Sequence, residues 1–172
     1  MLKIAGSIFV ITATTLAGIG RAAALRVQYR RMEELRQIFY YLQSEIRYAR
    51  TCLDEIFLAL GRQVRPPYSE WLLSLGRRLR LREGGRFAKV WEESVERDLA
   101  DCGLPGRELM RLKELGEQLG AADLEMQVKT LELYLTQLTD SMGEIQEEMK
   151  EKVKLYHCLG VLSGILIVIL LV

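Results

Sequence analysis

Apolar residues recur at alternating spacings of three and four along two long stretches of this chain. Toward the C-terminus the series is Leu124, Val128, Leu131, Leu135, Leu138, Met142, Ile145 and Met149. Such a series draws an apolar seam along one helix face. Asp140, Glu144, Glu147, Glu148, Lys150 and Glu151 lie largely off it, and after Lys154 the charges stop. Tyr156 to Val172 has only His157, Cys158 and Ser163 as polar interruptions. The pattern predicts one helix from Ala122 to Val172, roughly 75 Å long at about 1.5 Å per residue, that starts in a polar domain and ends in a bilayer. Its counterpart is Met32, Leu35, Phe39, Leu42, Ile46 and Ala49, a seam on a helix continuing out of an apolar N-terminus.

Four shorter helices are expected between the two. Thr51-Cys52-Leu53-Asp54 reads as a capping box with Thr51 as N-cap, opening a helix that presents Leu53, Ile56, Phe57 and Leu60 and ends near Gly61. Pro66-Pro67 breaks the chain. Tyr68, Trp71, Leu72, Leu75 and Leu79 mark the next helix, closed by Gly84-Gly85. Phe87, Val90, Trp91, Val95 and Leu99 mark another. After a turn over Gly103 to Gly106, Leu109, Leu112, Leu115 and Leu119 mark the last, ending at Gly120. Asp123 falls in the first turn of the long final helix, where its charge favours the helix dipole. The fold class is all-α: an antiparallel six-helix bundle, with two long membrane-rooted helices and four shorter ones between them.

Ile4 to Gly20 is apolar or small and near the lower limit for a membrane span, roughly 17–25 residues. Arg21 follows at once, with Arg26, Arg30, Arg31 and Arg36 behind it. That cluster argues for an uncleaved anchor over a secretory signal. The chain then divides into an anchor (1–20), a helical domain (21–154) and a second membrane segment (155–172). Ala13 and Ala17 in the first segment, and Gly160 and Gly164 in the second, are small residues one turn apart that would let helices approach closely. Basic flanks at Arg21–Arg31 and Lys150–Lys154 place residues 21–154 in the cytoplasm and both termini on the far side.

Charge refines this picture. Residues 21–86 hold fourteen Arg and Lys against seven Asp and Glu, a balance of +7; residues 87–155 hold nine against sixteen, a balance of −7. The halves either fold on each other or offer faces to different partners. Arg77, Arg78, Arg80, Arg82 and Arg86 are the densest basic run, and Arg30 and Arg31 stand on the first long helix. These seven are the candidate partner-binding residues, suited to acidic protein or headgroups. Nucleic acid is excluded because no aromatic stacking pattern accompanies them.

The search for chemistry is negative. There is one histidine, His157, beside a membrane segment. Cys52, Cys102 and Cys158 have no ligand spacing and form no disulfide framework. There is no phosphate-binding G-x-x-x-x-G-K-[ST] loop, and Glu92-Glu93 and Glu147-Glu148 diverge around their helices. No catalytic residue, metal site or cofactor is expected.

Taken in order, the segments resemble the stage III sporulation protein AB family of endospore-forming bacteria. The residues that carry this are Leu35 to Leu60 with Glu45-Ile46-Arg47-Tyr48-Ala49 and Thr51-Cys52-Leu53, Ala88 to Val95 around Trp91-Glu92, Leu115-Gly116-Glu117-Gln118-Leu119-Gly120 to Asp123 with Gln127, and Tyr156-His157-Cys158-Leu159-Gly160-Val161-Leu162. One departure is Cys52 before Leu53, where the family has proline. That family looks like the cytoplasmic domain of the type II secretion F platform protein. The resemblance implies a non-enzymatic platform in the mother-cell membrane, within the channel complex joining mother cell and forespore. It also implies contact with a cytosolic secretion-type ATPase and with other membrane subunits. A second copy of the chain is left open as a partner. The rival readings are a small channel or transporter subunit and a membrane-bound regulatory adaptor. The first is disfavoured because no Asp, Glu, Lys or Arg lies within the spans.

Overall fold

The computed structural model of the protein describes residues 2–49, 51–121 and 123–171, with side chains for 23–48, 51–120 and 123–152. Among the described residues the chain is all-α. Its elements are α1 (Leu2–Ser44), a π turn (Glu45–Ala49), α2 (Leu53–Gly61), α3 (Tyr68–Arg80), α4 (Phe87–Leu99), α5 (Gly106–Ala121) and α6 (Leu124–Leu171). They divide into two compact units, one of Met1–Tyr29 with Gly143–Val172 and one of Arg30–Met142.

In the first unit Leu25 and Ile145 are buried, and Lys152 pairs with Glu148 one turn away. The expected spans and the small residues Ala13, Ala17, Gly160 and Gly164 lie outside the described side chains. Among the described residues, no helix is long and apolar enough to cross a membrane.

The second unit is built around Trp91. Its indole is fully buried and touches rings from three other helices and one on its own. Centroid distances are 6.5 Å to Phe39 on α1, 5.9 Å to Phe57 on α2, 5.3 Å to Trp71 on α3 and 5.7 Å to Phe87. Phe39 in turn meets Tyr134 of α6 edge-on at 4.8 Å. Both indole N–H groups are satisfied, as burial demands. Trp91 donates to the Leu112 carbonyl at 2.7 Å and Trp71 to Ser94 Oγ at 3.1 Å. The seam residues Met32, Leu35, Phe39, Leu42, Ile46, Leu131, Leu135, Leu138 and Met142 are all buried.

Glycines set how closely the short helices approach. A Cβ on Gly116 would lie 2.2 Å from Trp91 Cδ1, and one on Gly120 would lie 2.9 Å from Phe87 Cδ1. Trp91 follows Phe87 by four residues and Gly120 follows Gly116 by four, so two aromatic knobs enter two notches. The missing side chain at Gly116 also opens the path by which the indole reaches the carbonyl of Leu112, one turn earlier. Between α2 and α3 the arrangement is reciprocal. Gly61 receives Leu73 and Gly76 receives Leu58, each at 2.8 Å from the would-be Cβ. Gly116→Ala is expected to part α4 from α5 and cost about 1–3 kcal/mol of stability as overpacking, read as a lowered thermal midpoint.

Three local expectations are corrected. Thr51 is not the N-cap of α2. Cys52 holds that position in extended conformation (φ −65°, ψ 141°), without a side-chain cap bond, and its carbonyl accepts from Glu55 and Ile56. Thr51 therefore lies one residue outside the helix. The end of α1 is not a plain continuation of its seam, because Glu45–Ala49 widens into a π turn. Asp123 precedes α6 rather than lying in its first turn. There its Oδ1 accepts from the Met126 N–H at 2.9 Å, a side-chain N-cap.

Candidate partner-docking surface

The loop between α3 and α4 is short of apolar residues and rich in arginine, and all six of its residues, Leu81 to Arg86, are exposed. Its geometry follows from how α3 ends. The Glu83 N–H reaches back to the Arg78 carbonyl at 2.9 Å and the Arg82 N–H to that of Leu79 at 3.1 Å. Those two bonds form a Schellman motif, whose penultimate residue must turn left-handed. Here that residue is Arg82, at φ 55°, where glycine is usual. Gly84 and Gly85, at φ 94° and 87°, continue the turn. The glycine pair therefore does not close α3; the helix stops at Arg80, before it.

The seven candidate arginines separate by partner. Arg78 bonds Glu93 at 2.6 Å, and that guanidinium holds the Glu93 carboxyl below its ordinary range. Arg80 pairs with Asp54 at 3.2 Å and lies 4.0 Å from Glu55. Arg30 and Arg31 share Glu34, at 3.5 and 2.9 Å, and Arg31 also reaches the Pro66 carbonyl. Arg77 bonds only the Leu73 carbonyl of its own helix. Arg82 and Arg86 make no ion pair among the described residues. The two groups are not brought together. Arg31 receives the Tyr68 hydroxyl on its carbonyl at the start of α3, about 20 Å of helix away from the loop. What remains is a tip with three arginines free of ion pairs (Arg77, Arg82, Arg86) around Leu81, an apolar side chain left 66% exposed.

Elsewhere the unit holds a buried polar cell that the sequence did not mark. Glu108, its side chain 1% exposed, accepts from Arg111 at 2.9 Å with Arg107 at 3.5 Å. Both arginines also donate to Ser141 of α6. Tyr134 is buried beside this cell, and burial pushes its phenol well above the usual range. Arg62 and Arg65, on the α2–α3 loop, make no ion pair among the described residues and were also missed, because they stand apart from the dense run. Among the described residues no group of three His, Cys, Asp or Glu is placed to hold a metal ion.

The chain matches the family model described as stage III sporulation protein AB over residues 3–172. It is 31% identical over 172 residues to the Stage III sporulation protein AB of Bacillus subtilis (strain 168), covering 99% of both chains. It is also similar to a solved structure of a stage III sporulation protein AB, with a TM-score of 0.66 and 26% identity, over 72% of this chain and 97% of the other. The chain belongs to the stage III sporulation protein AB family.

Proposed function

We propose that this protein is a non-enzymatic membrane platform of the mother cell–forespore channel complex, and that the Leu81–Arg86 tip docks its cytosolic secretion-type ATPase. In this reading residues 1–20 and 155–172 cross the mother-cell membrane, both termini lie on the far side, and residues 21–154 form an antiparallel six-helix bundle in the cytoplasm. The opposed chain directions of the Phe39–Tyr134 and Arg47–Glu132 contacts support antiparallel α1 and α6. Charge-free Tyr156–Val172 and family membership support the rest.

The observation that carries the docking site is Arg82. A left-handed backbone costs an ordinary L-residue roughly 1–2 kcal/mol, and glycine would remove that cost. An exposed arginine held there, with no internal partner, is strain that the fold gains nothing from. The test is direct. Arg82→Gly is expected to raise stability by about 1 kcal/mol while weakening ATPase binding to the full-length protein in nanodiscs. Arg86→Glu is expected to weaken that binding about tenfold or more, and the wild-type affinity is expected to fall with added salt. Unchanged affinity in both variants would show that the ATPase docks elsewhere.

A further inference from the structure

Above Glu34, the exposed residues of α1 from Gln37 to Ser44 carry no charge. Gln37, Tyr40, Tyr41, Ser44 and Tyr48 are all exposed, Tyr40 at 51% and Tyr48 at 78%. Gln37, Tyr41 and Ser44 succeed each other at four and three, the mirror of the buried seam on the opposite face, and Tyr48 follows in the π turn beside the exposed Arg47. Tyrosine-rich, charge-free faces are typical of interface centres.

A groove opens on each flank of this ridge, and the two overlap along α1 at Tyr40 and Tyr41. One, of about 380 Å³, runs between Gln37, Ile38 and Tyr41 and the α2–α3 loop, with Leu60 and Val64 as apolar lining and Arg65 at its rim. The acid at this rim, Glu34, is already held by Arg30 and Arg31. The other, of about 500 Å³, runs between Tyr40 and Gln43 and α6, with Leu135 beneath and Glu132 and Asp140 on its wall. The threonines lining it, Thr136 and Thr139, turn their hydroxyls back to the carbonyls of Glu132 and Leu135, so they ask nothing of a ligand. Glu132 pairs with Arg47 at 2.5 Å, and Asp140 has no ion pair among the described residues. Among the described residues, the charge left without an ion pair is therefore basic on one flank, at Arg65, and acidic on the other, at Asp140.

We infer that the partner of this ridge is a second copy of the same chain, joined by a two-fold axis parallel to α1. The charge pattern selects this arrangement. A two-fold along the helix sets the left flank of one copy against the right flank of the other, so each basic groove meets an acidic one. The antiparallel alternative sets each flank against its own kind, cation on cation. Parallel pairing places both copies the same way up. This interface uses neither the arginine tip nor its ATPase, so it stands or falls apart from the docking proposal.

The experiment uses full-length protein in nanodiscs wide enough for two copies, with Cys52, Cys102 and Cys158 replaced by serine. Ser44→Cys lies beside the axis and is expected to give a disulfide-linked dimer on mild oxidation, whereas Glu83→Cys on the exposed α3–α4 loop is not. Arg65→Glu and Asp140→Arg are each expected to lower the Ser44→Cys dimer yield about tenfold, and the two together to restore it. Absence of the Ser44→Cys dimer, equal cross-linking at Glu83→Cys, or failure of the double reversal to restore the yield would each overturn the inference. Helical circular dichroism of the single reversals verifies that they remain folded.

Discussion

Replacing Trp91 by alanine is expected to cost about 3–5 kcal/mol and to loosen the second unit as a whole. The indole touches side chains or carbonyls of α1, α2, α3 and α5, and through Phe39 it is one step from α6. Its loss would leave a cavity bordered by α1, α2, α3 and α5 and by Phe87 of its own helix. The Leu112 carbonyl would lose only its second donor, since Gly116 follows it one turn later in the same helix, so the cost is one of volume rather than of hydrogen bonding. Chemical denaturation of the full-length protein should show a lowered midpoint. Trp91→Phe, which keeps most of the volume, should recover a large part of it. A cost below 1 kcal/mol for Trp91→Ala would mean that the helices hold together around some other centre.

Arg111→Met is expected to be the second most damaging change, at about 3 kcal/mol. It would leave Glu108 buried with only the more distant Arg107 beside it. It would also remove one of two donors to Ser141, which ties α5 to α6. The signature is its reversal: adding Glu108→Leu should return much of the loss, because a buried pair replaced by apolar groups is near neutral whereas half a pair is not. Equal or greater destabilisation in the double variant would show that the cell's geometry, and not the stranded charge, is what matters.

Helix faces were readable from the chain because a buried stripe repeats every three to four residues, and the positions predicted for both long seams and all four short helices are mostly buried. The exceptions are at ends. Leu124 continues the spacing but is 44% exposed, and Glu125 and Met126 after it in the first turn of α6 are exposed too. Glycine was the main source of misreading. A glycine that stops a helix and a glycine that notches one look alike in sequence. The Gly84-Gly85 pair looks like the close of α3, yet α3 ends at Arg80 and turns left-handed at Arg82. Gly120 stands at the expected end of α5, one residue before Ala121, and also seats Phe87. Two signals were present: the shared spacing of Phe87–Trp91 and Gly116–Gly120, and the twin segments Leu58-Ala59-Leu60-Gly61 and Leu73-Ser74-Leu75-Gly76. For the candidate docking surface the sequence offers only charge density. Which arginines are free depends on Asp54, Glu93 and Glu34, partners that only the fold brings into reach.

Those twin segments bear on the order in which the chain assembles. Gly61 and Leu73 are only a dozen residues apart in sequence, so closing α2 on α3 costs little loop entropy. By contrast Arg47 and Glu132 are 85 residues apart. The hairpin can also verify its own alignment. A slip of one turn would set leucine against leucine at one end of the crossing and leave a glycine facing nothing at the other. A local pair that rejects wrong registers is suited to form early. It would then offer the two long helices a finished surface on which to close.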